Sequence, residues 1–286
     1  MMTRRKKQMK NVEGGGKILT LLAILLLLCI NLNPINAQCK IKNIAMVDGE
    51  EITYDLYFHW SFVWKKAGDA IFTTKSTTYK GTPSYKMELL ASSNKSADVF
   101  FKMRDTLTCI VSNDLEPLYF RKGAEEGKRF TVDEAKYSYT NNQVIVEQSR
   151  TWKDGRRQDH HFESDQCVYD MLSILAKARS INPENYKSGD RINFPMATGR
   201  RIDDIILEFR GTENIKTENR TTFRCIVFAL IEKDKKKKEK DLITFYISDD
   251  NNHLPIKLKF NLNFGSAQVT LRTIKGQKYP LQSIVK

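Results

Sequence analysis

Ile52-Thr-Tyr-Asp-Leu-Tyr-Phe-His-Trp-Ser-Phe-Val-Trp64 is the stretch that decides the fold class. Ile52, Tyr54, Leu56, Phe58, Trp60, Phe62 and Trp64 occupy every second position, with Glu51, Thr53, Asp55, His59 and Ser61 between them. Side chains along a strand point to opposite faces in turn, so the pattern describes a wall with a dry and a wet side. Near the other end of the chain, Ile256, Leu258, Phe260, Leu262 and Phe264 alternate with Lys257, Lys259, Asn261 and Asn263. Strand-like runs are expected between them at 69–79, 84–91, 98–111, 117–122, 129–139, 143–152, 204–210, 221–231 and 242–248. Turn residues such as Asn113-Asp114, Asp154-Gly155 and Asp249-Asp-Asn-Asn252 separate many of them.

One helix interrupts the strands, near 166–180. Val168, Met171, Leu172 and Leu175 are spaced i, i+3, i+4 and i+7, with Ser164 or Asp165 as cap and Asn182-Pro183 as stop. No regular alternation of strand and helix exists to carry parallel crossovers. The expected fold is therefore all-β, a strongly curled antiparallel sheet or barrel, which also removes exposed edges.

Residues 1–37 read as a signal peptide: a cationic front from Arg4 to Lys17, the 13-residue apolar run Ile18–Ile30, a polar stretch and the small Ala37. The apolar run is short of the ~20 residues that span a bilayer. Cleavage after Ala37 leaves residues 38–286 as a single β-barrel-like domain. That product is periplasmic or secreted, and not an integral membrane protein. Six bases and one acid leave with the signal, so 41 bases remain against 33 acids. Much of that excess lies in Lys233-Asp-Lys-Lys-Lys-Lys-Glu-Lys240, a solvated loop or a contact for anionic lipid headgroups or polysaccharide. Nucleic acid is not an expected partner, because no basic motif carries interleaved aromatics.

Four cysteines remain in the exported portion: Cys39, Cys109, Cys167 and Cys225. An oxidising compartment permits two disulfides in three pairings, and buried free thiols are the alternative. Cys167 stands where the helix is expected to begin, and a packed or disulfide-bonded cysteine is expected there rather than a nucleophile.

Several segments carry a resemblance. They are Gly49–Phe58 with Lys66–Ala70, Phe100–Asp105, Glu116–Leu118, Val168–Ser173, Ser188–Asp190, Gly211–Glu213, and Ser248–Asp250 with Leu254-Pro255. In this order they resemble an exported bacterial family, domain of unknown function 3108, over residues 46–275. The resemblance implies a β-rich, barrel-like envelope protein with no assigned activity. The lysine-rich loop departs from that layout.

No nucleophile elbow, zincin helix, phosphate loop, dinucleotide fingerprint or paired Cys-x-x-Cys is present, and no cofactor is expected. His160-His161 with Cys167 is a weak metal candidate, since neighbouring residues of a strand point apart. Asp249–Asn252 offers oxygen ligands but lacks the glycine and distal glutamate of a calcium loop, so a turn is expected. In 99–111, Phe101, Met103, Asp105, Leu107, Cys109 and Val111 share a face, which puts a carboxylate in an apolar row. Asp105 is then paired with an inward arginine, turned outward by a bulge, or a polar anchor for an apolar ligand beside Met103 and Leu107.

The leading expectation is a non-catalytic envelope protein that binds a lipid or other amphiphile within its sheet. A protein-docking module of the envelope is the second reading. A hydrolase of envelope glycans or lipids is the third.

Overall fold

The computed structural model describes residues 39–60, 63–140, 143–233, 238–262 and 265–286. The expected signal peptide, Phe62, Phe264 and the centre of the lysine run lie outside the described residues. The strands are β1 (Glu50–Trp60), β2 (Val63–Tyr79), β3 (Thr82–Ser93), β4 (Met103–Ser112), β5 (Pro117–Glu126), β6 (Arg129–Thr140), β7 (Gln143–Trp152) and β8 (Arg157–Ser164). After a helical segment come β9 (Arg191–Ala197), β10 (Ile202–Lys216), β11 (Thr222–Lys233), β12 (Glu239–Ser248), β13 (Pro255–Asn261), β14 (Ser266–Lys275) and β15 (Ile284–Val285). Among the described residues two α-helices accompany them, α1 (Lys95–Asp98) and α2 (Met171–Arg179).

The chain is mostly β, built on one large antiparallel sheet. Each strand from β1 to β8 pairs with the next, as does each from β9 to β14, and β1 pairs with β14 to join the halves. This connectivity sorts the turns into two ends. The β1–β2, β3–β4, β5–β6 and β7–β8 turns share one end. Ser266 of β14 stands opposite His59 of β1, so the β9–β10, β11–β12 and β13–β14 turns join them there. We call this the upper end; the β2–β3, β4–β5, β10–β11 and β12–β13 turns form the lower end.

The row Ile52–Trp64 is two strands rather than one. Trp60 pairs with Val63 across a hairpin, and Trp64 stands opposite His59 instead of extending the row. Alternation alone does not reveal so short a reversal. The expected strand 98–111 also starts later, at Met103, because Asn94 caps α1 and the chain loops through residues 99–102. Phe101 is therefore on a loop and not in the row with Asp105. Strands β8, β9 and β14 were not anticipated: β8 holds one apolar residue, Phe162, and the rows of β9 (Ile192, Phe194, Met196) and β14 (Ala267, Val269, Leu271) are three residues long.

Helix α2 is buried on nearly every side, with Leu172, Ser173, Ile174, Leu175, Ala176, Ala178 and Arg179 all inside, and it packs against β4. Its cap is Asp170, not Ser164 or Asp165. Asp170 Oδ1 accepts from the backbone N–H of Leu172 and Ser173, and Ser173 Oγ accepts from the N–H of Asp170. The helix cannot start at 166 because the preceding backbone is already engaged: Tyr169 bridges Met196 of β9 in parallel fashion. Cys167 is likewise not at a helix start. It is bonded to Cys39, while Cys109 and Cys225 are buried free thiols.

One charged pair is locked in this core. Arg179 and Glu50 have side chains that are 0% and 1% exposed, and the guanidinium meets the carboxylate in two bonds of 2.6 and 2.7 Å. Arg179 also donates to the carbonyls of His253 and Asn252, tying α2 to β1 and to the β12–β13 turn.

Candidate functional site

Burial along the dry row of β1 fails towards the upper end. Ile52, Tyr54 and Leu56 are 0%, 2% and 8% exposed, and Phe58 reaches 37%. Here the sheet opens into an apolar groove of about 430 Å³ between β1, β2, β4, the start of β14 and the 94–102 loop. Phe58, Phe100, Phe101, Met103 and Leu262 supply its walls, with Lys65 and with Lys66, whose ammonium is held by Asp55 and Asp69.

The loop that carries Phe100 and Phe101 is fixed at its base. Asn94 accepts from the N–H of Ala97 at 2.9 Å and donates to the carbonyl of Lys66 at 3.1 Å. Arg104 clasps Asp98 at 2.6 Å, and Ser93 Oγ bonds Asp98 and accepts from the N–H of Met103. These anchors hold both ends of the loop, so its tip is held out in solvent: Val99 is 80%, Phe100 87% and Phe101 54% exposed. Exposed apolar groups gathered in this way mark a binding surface.

Beyond the loop, Phe101 lies against Gly127 in the β5–β6 turn, and the far side of that turn borders a second recess. It measures about 600 Å³ and is basic: Lys128, Arg129, Lys153 and Arg200 stand round it with no ion pair among the described residues. Its floor is a charged cluster. Arg150 grips Asp133 through two bonds of 2.6 Å, and Lys122 bridges Glu126 at 3.2 Å and Asp105 at 3.6 Å. The β9–β10 turn closes over Asp133. Gly199 has φ +79° and donates its N–H to Gln148 Oε1, and a Cβ there would come within 2.4 Å of Asp133.

The three ligand candidates part company. Met103 lines the apolar groove, Leu107 is buried in the core, and Asp105 sits behind Lys122, its partner being a lysine and not an arginine. Burial pushes the Asp105 carboxyl up to about 6, with Lys122 opposing, and its Oδ1 is buried without a hydrogen-bond partner. A folded-state value above the ~3.9 of a free aspartate means that the native state binds the extra proton. Its contribution to stability is complete below about pH 4 and is lost as the pH rises through about 6. Asp105→Asn is accordingly expected to raise the melting temperature by a few degrees at pH 7.5 and to leave it unchanged at pH 4. A variant that melts lower at pH 7.5 would show the charged pair with Lys122 to be stabilising instead.

The other constellations resolve simply. His161 faces outward between Glu147 and Glu163, whereas its neighbour His160 is half-buried on the other face of β8. No cluster of three or more His, Cys, Asp or Glu side chains among the described residues is placed to hold a metal ion. Asp249–Asn252 is a turn whose Asp250 carboxylate takes hydrogen bonds from Ser248, Asn252, Gln282 and Ser283, clamping the C-terminal segment. Among the described residues no helix is long and apolar enough to cross a membrane.

The sequence pattern of the family described as "Protein of unknown function (DUF3108)" matches residues 53–272, most of the chain. The chain belongs to the DUF3108 family. The match includes every groove and cleft residue named above. No curated protein matches the sequence. Among solved structures, this DUF3108 chain is similar to a beta-barrel-like protein of domain of unknown function DUF1849 from Brucella abortus. The TM-score is 0.52 at 9% identity, over 85% of this chain and 100% of the other, a likeness of fold alone.

Proposed function

We propose that this DUF3108 protein is exported through residues 1–37 and acts in the envelope as a non-catalytic binder of amphiphiles. In this reading the sheet rolls round its core into a barrel-like wall, and the apolar groove at its upper end takes an acyl chain. Two observations support the rolling. The β9–β10 turn lies against Asp133 and Gln148 of β6 and β7, although these strands stand far apart in the sheet order. The similar structure from Brucella abortus is itself described as beta-barrel-like.

The observation that carries the function is the groove: apolar walls and an aromatic loop held open by hydrogen bonds. Apolar sites with a few convergent polar groups take ligands that are mostly apolar with one polar end. The absence of hydrolase and cofactor motifs from the sequence accords with binding rather than turnover.

Native mass spectrometry of protein purified from its own cells should show a copurifying lipid that organic solvent extracts. A fluorescent hexadecanoyl probe should then bind the extracted protein, and Phe58→Glu, at a half-exposed wall position, should weaken it at least tenfold. Protein that carries no lipid and ignores the probe, or a Phe58→Glu variant that binds as tightly, would overturn the reading.

A further inference from the structure

The two ends of the sheet differ in a way that core packing does not demand. The described hairpin turns of the upper end carry eight bases and two acids, Asp98 and Asp154. Those of the lower end carry two bases, Lys80 and Arg220, and five acids. Large apolar side chains follow the same division. Ten are exposed among the described residues, and six of these stand at the upper end: Phe58, Val99, Phe100, Phe101, Phe130 and Leu262. Of the remaining four, Ile71 and Leu90 face each other across β2 and β3, and Ile284 and Val285 lie on the short β15.

Charge and apolar exposure thus coincide on one end, and their arrangement narrows what can cover it. A small anion would account for the basic recess but not for the apolar tip beside it. A protein interface gathers its apolar groups in a core from which charge is depleted. Here apolar tips and bases interleave: Lys95 and Lys102 flank Val99–Phe101, and Lys128 and Arg129 precede Phe130. That mixture suits a boundary at which aromatic groups enter the acyl edge while lysines and arginines meet phosphate.

We propose that the upper end is a docking surface for an anionic lipid bilayer, with the 99–101 tip inserted at the headgroup boundary and the basic turns lying on lipid phosphates. This goes beyond the occupant of the groove: it concerns the surface round the opening and holds whether or not an amphiphile is bound within. It also gives Lys128, Arg129 and Arg200 counter-charges that the described chain does not supply.

Two variants that leave the groove walls intact test it. Val99→Asp puts a charge on the tip, and the triple variant Lys128→Glu, Arg129→Glu, Arg200→Glu reverses one side of the basic turns. The protein should cosediment with vesicles of phosphatidylethanolamine and phosphatidylglycerol at about 0.1 M salt and be released by about 1 M, where screening is nearly complete. It should not sediment with phosphatidylcholine vesicles. Each variant should bind the anionic vesicles at least tenfold more weakly, while melting as the parent does and binding the hexadecanoyl probe unchanged. No binding of the parent to anionic vesicles, equal binding to neutral ones, or full binding by either variant overturns the proposal. Probe binding without vesicle binding would sink this inference alone and spare the amphiphile reading.

Discussion

Replacing Arg179 by methionine is expected to destabilise the protein by about 3–5 kcal/mol, the usual cost of leaving one member of a buried ion pair without its partner. Methionine keeps much of the side-chain volume, so a cavity contributes little. The loss is electrostatic: the Glu50 carboxylate is 1% exposed and surrenders both of its guanidinium bonds. The carbonyls of His253 and Asn252 lose their donors in the same step. For a domain of this size 1 kcal/mol shifts the melting temperature by ~2–4 °C, which places the variant about 6–20 °C below the parent. The double variant Glu50→Leu, Arg179→Met removes both charges and should recover more than half of the loss in urea unfolding. A single variant that loses less than about 1 kcal/mol would show that Glu50 finds another partner or is neutral in the fold.

This pair also marks the limit of what the sequence makes legible. Period two reports which face is dry, and it located most of the long strands because their inner rows are apolar: Leu107, Cys109 and Val111 on β4, Val144 and Val146 on β7. It is silent where a dry position holds a charge. Glu50 precedes the alternating row and carries no mark of burial, and its partner lies 129 residues away on the buried helix α2. Strand β8 escapes for the related reason that Phe162 is its one apolar residue, so the neighbouring strand rather than its own pattern defines it. The start of α2 escapes because tertiary contacts at Cys167 and Tyr169 override the local spacing.

The candidate site was legible in part. The alternating rows contain Phe58, Leu262 and Met103 and pointed to apolar surface in need of cover, but not to the end of the strands at which it opens. The Val99–Phe101 segment was absorbed into a strand, because Phe101 happens to share parity with Met103. What corrects it is capping chemistry: Asn94 followed by Lys95-Ser-Ala-Asp98 is an N-cap and one helical turn, a signal that period two does not weigh. The basic recess had no linear signature at all. Lys122 and Lys128 come from one region of the sequence, Lys153 from a second and Arg200 from a third, and the approach of the β9–β10 turn to β6 and β7 brings Arg200 to the others.

Reduction of the Cys39–Cys167 bond should lower stability by about 2–5 kcal/mol, the range found when a native disulfide is removed. The bond ties residues 128 apart, and closing so long a loop takes more entropy from the unfolded chain than a short one would. It also pins the segment before β1 to the segment before α2, so its loss should free both together. Cys109 and Cys225 should not compete for either partner, because both are buried and burial pushes their thiols up, Cys225 to about 12. Thiol titration checks each step. Native exported protein should show no fast-reacting thiol, the unfolded but unreduced protein two, and the reduced protein four. Cys29 makes the count decide a further matter, since three thiols in the unfolded, unreduced protein would mean that residues 1–37 had stayed attached. The double variant Cys39→Ser, Cys167→Ser should match the reduced parent in urea unfolding and be insensitive to reductant. If it instead matches the oxidised parent, the bond adds nothing to stability, and the segment before β1 is held by the packing of Ile41 and Met46 and by backbone bonds such as that from the Ile41 N–H to the Asp114 carbonyl.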